Sequence, residues 1–196
     1  MKIGKTRLPL PTDEYERQWG DQLIRAIDQN FDAAFANIES STSATGFYGS
    51  FYDTTNQNAV AANTAYAMKL NTTAESNQIA ITNNLSAAPT RVTFKNRGTY
   101  NIQFSAQVDQ SSGSPHKIYI WLRKNGVDVP NSSSFFTIQG NNTEFVTAWN
   151  FIVTVLAGEY VEIMWAVEDT RVYLAAFAAT AFSPAIPSVI LTAVSI

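Results

Sequence analysis

The chain has 196 residues, of which 45% are hydrophobic and 12% aromatic, enough for one large domain with a dense core. A net charge of -3 and the lack of a basic patch give no field for nucleic acid, which we do not expect as a partner. Cysteine is absent, which excludes disulfides and thiolate metal sites, and no segment approaches the ~20 apolar residues of a membrane span.

Only 15% of the residues are charged, against an average of ~25% in soluble domains. Burial of surface against other copies of the chain is the simplest explanation for so few charges. No apolar secretory signal is present in residues 1–30, so we expect synthesis in a host cytoplasm without secretion.

The first residues are expected to be extended. Leu8-Pro9-Leu10-Pro11 is incompatible with a helix, because each proline pushes the residue before it toward β or polyproline II conformation. Such a segment either is disordered or docks in a groove on a partner.

A helix is predicted to follow, with Thr12 as its N-cap and an end near Glu39. Its apolar positions have the alternating spacing of three and four residues that is typical of a heptad seam. These positions are Ile24, Ile27, Phe31, Ala34 and Ile38. Two heptads are too few for a free coiled coil, so the helix either associates with copies of itself or packs on its own domain.

A linker of small residues, 40–46, separates this region from the rest and predicts two domains, 1–45 and 46–196. Beyond it we predict only strands. Early strands are expected at residues 47–52, 65–70, 79–82 and 91–94, followed by an alternating strand at residues 99–108 with one core face and one wet face.

Residues 117–123 are apolar on both faces, with Tyr119 and Trp121 on one of them. A strand that is apolar on both faces is covered on both, so we expect another subunit to cover these two aromatic residues. Asn125-Gly126 then predicts a two-residue hairpin turn.

The longest β pattern covers residues 145–167, with a break at Ala157-Gly158-Glu159 that predicts a central hairpin. Shorter strands are expected at residues 134–138, 172–174 and 189–196. This number and spacing of strands predicts a mainly β protein, a β-sandwich or jelly roll.

The residue types for catalysis are sparse. His116, the single histidine, is expected in a solvated loop, and Glu162 is expected to be a buried, partnered or interfacial carboxylate. The acids Asp109, Glu168 and Asp169 lack the spacing of a known calcium loop. We therefore expect no enzyme, no cofactor and no metal, with a strand-end calcium site left open.

Three segments resemble the C1q/TNF-like jelly roll. They are Gly98–Phe104, Leu156–Val161 and the paired-strand sequence Ile118–Val129. The segments Trp121–Pro130 and Ala185–Thr192 are also similar to jelly-roll domains of bacteriophage virion proteins. The resemblance covers about residues 46–196 and implies a C1q/TNF-like jelly roll that forms a homotrimer.

The resemblance further implies a structural fibre, spike or decoration protein of a phage particle, attached to capsid or tail proteins through its N-terminal arm. The alternative is a receptor-binding module whose loops at residues 111–114, 131–133 and 140–142 recognise a host glycan or protein. The anchor is predicted at Leu8, Pro9, Leu10, Pro11, Tyr15 and Trp19. The trimer interface is predicted at Ile24, Ile27, Phe31, Ile38, Tyr119, Trp121, Tyr160, Met164, Phe177 and Phe182.

Overall fold

This computed structural model describes residue 20, residues 23–32 and residues 46–196. The chain divides into two compact units, Met1–Thr45 and Gly46–Ile196, and their boundary lies in the linker of small residues. Residues 23–32, the described part of the predicted helix, are helical and are called α1. The predicted arm, the anchor residues Leu8 to Trp19 and the seam residue Ile38 lie outside the described residues.

The second unit is built from strands. Their bounds are β1 Tyr48–Asp53, β2 Gln57–Asn58, β3 Tyr66–Ala67, β4 Thr72–Asn77, β5 Ile79–Asn83, β6 Pro89–Phe94, β7 Gly98–Gln110, β8 His116–Lys124, β9 Val127–Asp128, β10 Ser134–Ile138, β11 Thr143–Val155, β12 Tyr160–Val167, β13 Val172–Leu174 and β14 Val189–Ser195.

These strands form two antiparallel sheets. In sheet A the long strands run in the order β4-β1-β14-β7-β11, and the short β13 and β2 continue beside the end of β7. Sheet B has the order β5-β6-β12-β8-β10, with β3 beside β12 and β9 beside β8. The chain alternates between the sheets at β6-β7-β8 and again at β10-β11-β12. The predicted jelly-roll sandwich is therefore confirmed.

The core lies between the two sheets and is apolar throughout. Its largest fully buried side chains include Trp165, Tyr100, Phe51, Phe94 and Phe104. The rings of Phe94 and Tyr100 lie 4.4 Å apart between centroids and join sheet B to sheet A. Alternate residues of β7 and β14 supply the core from sheet A, because successive side chains of a strand point to opposite faces.

The predicted hairpin between β11 and β12 is wrong. β11 pairs along its whole length with β7 in sheet A, whereas β12 pairs with β8 and β6 in sheet B. The turn between them is held by sheet B, because Gly158 N–H donates to the Phe94 carbonyl at 2.7 Å. The chain therefore crosses from sheet A to sheet B here. The apolar side of each strand faces the same core, β11 from one sheet and β12 from the other.

The Asn125-Gly126 turn is confirmed. Both residues have positive φ, at 49° and 82°, as the tight hairpin turns with two left-handed residues require. The turn returns the chain as β9 against the end of β8.

The strand β4 was not predicted, because its sequence TTAESN carries no apolar residue larger than alanine and it forms an edge of sheet A.

Among the described residues, no helix is long and apolar enough to cross a membrane.

Candidate functional site: the outer faces and the open edge of the sandwich

The outer face of sheet A is uncharged over most of its area. Opposed residues of an antiparallel ladder share a face, so the register of β1, β14, β7 and β11 defines which side chains point outward. We call this surface the charge-free face. Its members are Tyr48, Ser50, Tyr52, Ile190, Thr192, Val194, Asn101, Gln103, Ser105, Gln107, Val146, Ala148, Asn150 and Ile152.

Several apolar side chains on the charge-free face are open to solvent. Ile152 is 66% exposed, Val146 59%, Val194 46% and Ile190 41%. Between them lies a depression of about 230 Å³, where the small side chains of Ser105 and Ala148 leave room. An uncharged surface with exposed apolar side chains around a depression is suitable for receiving side chains of another molecule.

Outward-pointing charges occur at the borders of the charge-free face. Asp109 and Glu144 form an opposed pair at the end of β7 and β11, and Glu75 lies on the edge strand β4. Polar members of the face are amides and hydroxyls, such as Asn150, whose Nδ2 donates to Asn101 Oδ1 at 3.0 Å. The face is therefore uncharged without being wholly apolar.

A second surface lies where β10 and β11 end the two sheets on the same side. The core side of β11 carries Phe145, Trp149 and Phe151, opposite the buried Val108, Phe104 and Ile102 of β7. Phe145 is nevertheless 48% exposed, and Trp149 and Phe151 are half-buried.

Across the gap, the Phe136 ring of β10 lies 4.7 Å from the Phe145 ring. We call Phe136, Phe145, Trp149 and Phe151 the aromatic edge. It is the side on which the sandwich is incompletely closed.

Neither surface was predicted as an interface. The signal was present in the sequence, because the wet positions of residues 99–107 and 146–154 are Asn, Gln, Ser, Thr or apolar, and Lys and Arg are absent from them. Lysine is the usual protection of an exposed sheet surface or edge. Its absence from the whole outer face of adjacent strands becomes visible only when the register is known.

The outer face of sheet B is charged by contrast. Arg123 pairs with Asp128 at 2.7 Å, Lys117 with Glu168 at 3.9 Å and Arg91 with Glu162 at 4.0 Å. The hydrogen bond from Arg123 lowers the pKa of the Asp128 carboxyl. The two outer faces of the sandwich thus differ in chemistry, and sheet B has the composition of a solvated surface.

Tyr119 and Trp121 lie on this charged face and are half-buried by their own chain. Tyr119 donates to Glu168 Oε1 at 3.3 Å, and Trp121 Nε1 donates to Asp128 Oδ1 at 2.8 Å. Phe135 of β10 packs on Tyr119 with centroids 5.5 Å apart. The inference that β8 requires a second subunit is therefore corrected, because these neighbours provide part of the cover. A role in an interface stays a prediction.

Met164 needs a stronger correction. It is 2% exposed and offers almost no surface to a partner, because it lies at the base of a cavity under residues 65–69 and 84–91. We call this space, with a volume of about 530 Å³, the outer cavity. Tyr160 lines the same cavity and carries the guanidinium of Arg91 over its ring, 4.1 Å from the centroid.

Glu162 also lines the outer cavity, and its prediction as a buried, partnered carboxylate is confirmed. It is 5% exposed and accepts a hydrogen bond from Thr90 Oγ1 at 2.5 Å. The register places it between Arg123 on β8 and the strand β6 that carries Arg91. Burial of this carboxylate is thus compensated by the Thr90 hydroxyl and by the Arg91 guanidinium, whose Nε lies 4.0 Å from Glu162 Oε1.

The remaining predicted interface residues lie elsewhere. Phe182 is 91% exposed, and Phe177 is half-buried where its backbone pairs with Ile186. On α1, Ile24, Ile27 and Phe31 are 59%, 38% and 60% exposed. The role of these residues in an interface stays a prediction.

Two of the three loops predicted for receptor binding lie together. The buried Gln110 side chain donates to the carbonyls of Ser112 at 2.5 Å, Ser114 at 2.8 Å and Gly140 at 3.3 Å. Gln110 is the last residue of β7, and at ~3.4 Å per residue it lies roughly 40 Å from the first residue, Gly98. The two loops are therefore at one end of the long strands. Residues 131–133 lie apart from the pair, because Ser132 Oγ accepts from the Leu122 amide in the middle of the sandwich.

His116 is the first residue of β8, which corrects its placement in a solvated loop. It is half-buried, and its Nε2 lies 3.6 Å from Asp169 Oδ2. Hydrogen bonds from Arg171 hold the pKa of Asp169 well below its usual range.

Asp109 accepts from Tyr173 at 2.6 Å and thereby raises the pKa of that phenol to about 12. Across the described residues, no group of three or more acids and histidine is placed to hold a metal ion.

Comparison with solved structures shows a similarity to C1q-type domains. The globular domain of zebrafish complement 1qA protein matches with a TM-score of 0.48 and 14% sequence identity, over 76% of this chain and 97% of that domain. The fold assignment rests on the strand order of the two sheets. No family model matches the chain. No curated protein matches it either.

Proposed function

We propose that the chain is a non-enzymatic structural protein of a bacteriophage particle, assembled as a homotrimer and attached to capsid or tail proteins through residues 1–45. The observation that supports assembly most directly is the charge-free face. Exposed apolar residues are normal when scattered, but here Val146, Ile152, Ile190 and Val194 lie on one surface that has no charge. Depletion of charge is also what distinguishes the buried centre of an interface from the remaining surface.

Two surfaces of the jelly roll favour contact between copies. The aromatic edge and the charge-free face are different patches of one chain, so edge-on-face packing is a head-to-tail contact. Such contacts form a closed ring when the rotation between copies closes. Three copies are what the resemblance to C1q/TNF-like jelly rolls implies. In this arrangement Phe145 and Trp149 of one copy would fill the depression beside Ala148 of the next.

Placement in a phage particle rests on the resemblance of Trp121–Pro130 and Ala185–Thr192 to virion jelly-roll domains. The separate N-terminal unit supports attachment through that part of the chain, because the fully buried core residues that the structure describes in the jelly roll lie between 51 and 193. An anchor of this kind can bind a partner without any change in the sandwich.

A structural role is also supported by the chemistry of the outer cavity. Glycoside hydrolysis uses a pair of carboxylates on either side of the scissile bond. Glu162 is the only acid among the residues that line the cavity. Its contacts with Thr90 and Arg91 are those of a structural carboxylate.

Light scattering after size exclusion tests the assembly. We expect three times the chain mass of 21.5 kDa. Ile152→Lys places a charge on the charge-free face and should give monomers, whereas Val60→Lys, at a loop residue 88% exposed, should keep the trimer. A monomeric wild type would overturn the proposal, and a trimeric Ile152→Lys variant would exclude this face as the interface.

The second candidate is a host receptor-binding module, favoured by the loop pair that Gln110 holds together. A pre-organised pair of polar loops at one end of a trimer is a suitable recognition surface. Incubation of labelled protein with bacterial cells distinguishes the two. Binding that is lost when Ser111 and Asn141 are both changed to alanine would support recognition, and lack of binding would favour the scaffold.

A further inference from the structure

A depression separate from the outer cavity lies on the outer face of sheet B, where β9 and β10 pair with β8. Its volume of about 330 Å³ is at the lower end of the ~300–1,000 Å³ that is usual for small-molecule sites. We call it the Tyr-Trp depression. Its lining residues are Tyr119, Trp121, Asp128, Val129, Asn131 and Ser133. None of them belongs to the charge-free face or to the aromatic edge.

Two aromatic rings form the floor of the Tyr-Trp depression. Tyr119 and Trp121 are two residues apart on β8 and therefore point to the same side of the sheet. Their polar tips are fixed by hydrogen bonds, from Trp121 Nε1 to Asp128 Oδ1 at 2.8 Å and from the Tyr119 hydroxyl to Glu168 Oε1 at 3.3 Å. The rings are held in place before a ligand arrives, so little side-chain entropy is lost on binding.

The loop beside these rings is also fixed. The Ser132 hydroxyl accepts from the Leu122 amide at 3.1 Å and donates to the Val129 carbonyl at 2.8 Å. This pair of bonds ties the loop to β8 and holds its neighbours Asn131 and Ser133 at the depression. A loop that a strand positions in this way is suited to recognition.

Three polar side chains of the depression have hydrogen-bonding groups to spare. Asp128 uses Oδ1 for both Trp121 and Arg123, whereas its Oδ2 accepts no hydrogen bond from the described residues. Asn131 and Ser133 are exposed, and their side chains bond to no described residue. An amide and a hydroxyl both donate and accept, and a carboxylate accepts. This set matches ligand hydroxyl groups, which also donate and accept.

Other classes of ligand fit the depression less well. A proline-rich peptide presents carbonyl acceptors to the donors of an aromatic groove, but the Trp121 and Tyr119 donors are already used. An anion would meet Asp128, the one charged residue of the lining. A cation would find that carboxylate already paired with the Arg123 guanidinium at 2.7 Å. An uncharged ligand is therefore favoured.

We infer that the Tyr-Trp depression binds a neutral saccharide. The apolar C–H face of a sugar ring packs on Tyr119 and Trp121. The sugar hydroxyl groups hydrogen-bond to Asp128 Oδ2, Asn131 and Ser133. This inference depends neither on the proposed trimer nor on attachment to a particle.

Saturation-transfer NMR on the full chain tests the site, with the neutral trisaccharides maltotriose, cellotriose and mannotriose as probes. We expect transfer to at least one of them. Sodium glucuronate, choline chloride and a decaproline peptide, tested alone, should show none. Trp121→Ala should weaken the trisaccharide signal roughly tenfold, because it removes a stacking ring. Phe182→Ala removes an aromatic ring that is 91% exposed elsewhere and should leave the signal unchanged.

Asn131→Gly provides a variant that keeps the hydrogen bonds of Trp121. Asn131 has a positive φ of 61°, which glycine adopts readily, so only the amide is removed. The signal should fall roughly fivefold. Asn63→Gly makes the same change at an exposed residue with φ 55° and should have no effect.

The inference is overturned by any of three results. These are no transfer to any trisaccharide, equal transfer to glucuronate, choline or decaproline, or an unchanged signal in both Trp121→Ala and Asn131→Gly. The mass measured by light scattering tests the trimer separately, so failure of one proposal leaves the other standing.

Discussion

Phe136 of sheet B and Phe145 of sheet A lie with their ring centroids 4.7 Å apart, although neither strand pairs with the other. This contact joins the two sheets at the edge where the sandwich is open. It is formed by side chains alone, and both rings retain exposed surface.

Removal of these two rings should reveal their coupling. We expect Phe136→Ala and Phe145→Ala each to destabilise the protein, and the double variant to lose ~0.5–1.5 kcal/mol less than the sum of the two. Urea unfolding of the four proteins measures this double-mutant cycle. Strict additivity would mean that the rings do not interact in solution.

Gln110→Glu should be severely destabilising. The amide nitrogen of Gln110 donates to three carbonyl oxygens, and a carboxylate in its place would be buried against acceptors without a donor of its own. The lost hydrogen bonds and the buried charge predict a loss of at least ~3 kcal/mol in the free energy of unfolding. Gln139→Glu makes the same chemical change at an exposed position of the neighbouring loop. That control should stay within ~0.5 kcal/mol of the wild type.

Tyr173 provides a prediction at high pH. Its hydrogen bond to Asp109 raises the pKa of the phenol from 10.0 to about 12. A raised folded-state pKa contributes stability that is complete below the unfolded value and is lost as the pH rises through the folded value. Tyr173→Phe should therefore be less stable than the wild type below pH 10, and the difference should vanish between pH 10 and pH 12.

Tyrosine absorbance at 295 nm checks the assignment directly. The step near pH 12 should be present in the wild-type titration and missing from that of Tyr173→Phe. A wild type without a step near pH 12 would contradict the Asp109 contact.

Deletion of residues 1–45 should leave a folded jelly roll. Among the described residues, the fully buried members of the jelly-roll core lie between 51 and 193, and this unit is compact by itself. We expect cooperative thermal unfolding within ~5 °C of the full chain. If these residues are the anchor, the shortened protein should remain a trimer and fail to attach to particles. Attachment without them would assign the anchor to the sandwich.

Local features of the fold were predictable from sequence because they depend on neighbours along the chain. The Asn125-Gly126 turn is set by two adjacent residues, and the core side of β7 is set by alternation. The relation of β11 to β12 depends instead on which of two sheets receives each strand. Alternation and a glycine turn are the same for a hairpin and for a crossing, so the hairpin prediction failed.

The candidate surfaces were less predictable for the same reason. Tyr119 and Trp121 are apolar by residue type, but Glu168 and Asp128 reach them only after β8, β9 and β12 have paired. Met164 alternates with core residues, yet it is buried on the outer side of β12, where β3, distant in sequence, pairs beside it. The charge-free face is a property of four strands together, and no single segment contains it.

The hydrogen bonds of the Asn125-Gly126 turn have a consequence for its chemical stability. Asn-Gly sequences are where spontaneous deamidation through a cyclic imide is usually fastest. Here the side-chain oxygen of Asn125 accepts from Tyr160 N–H at 3.0 Å, and its nitrogen donates to Glu159 at 2.7 Å. Both ends of the amide are therefore fixed by hydrogen bonds, which must break before the side chain can rotate for attack by the glycine nitrogen, and the turn should deamidate slowly while the sandwich stays folded.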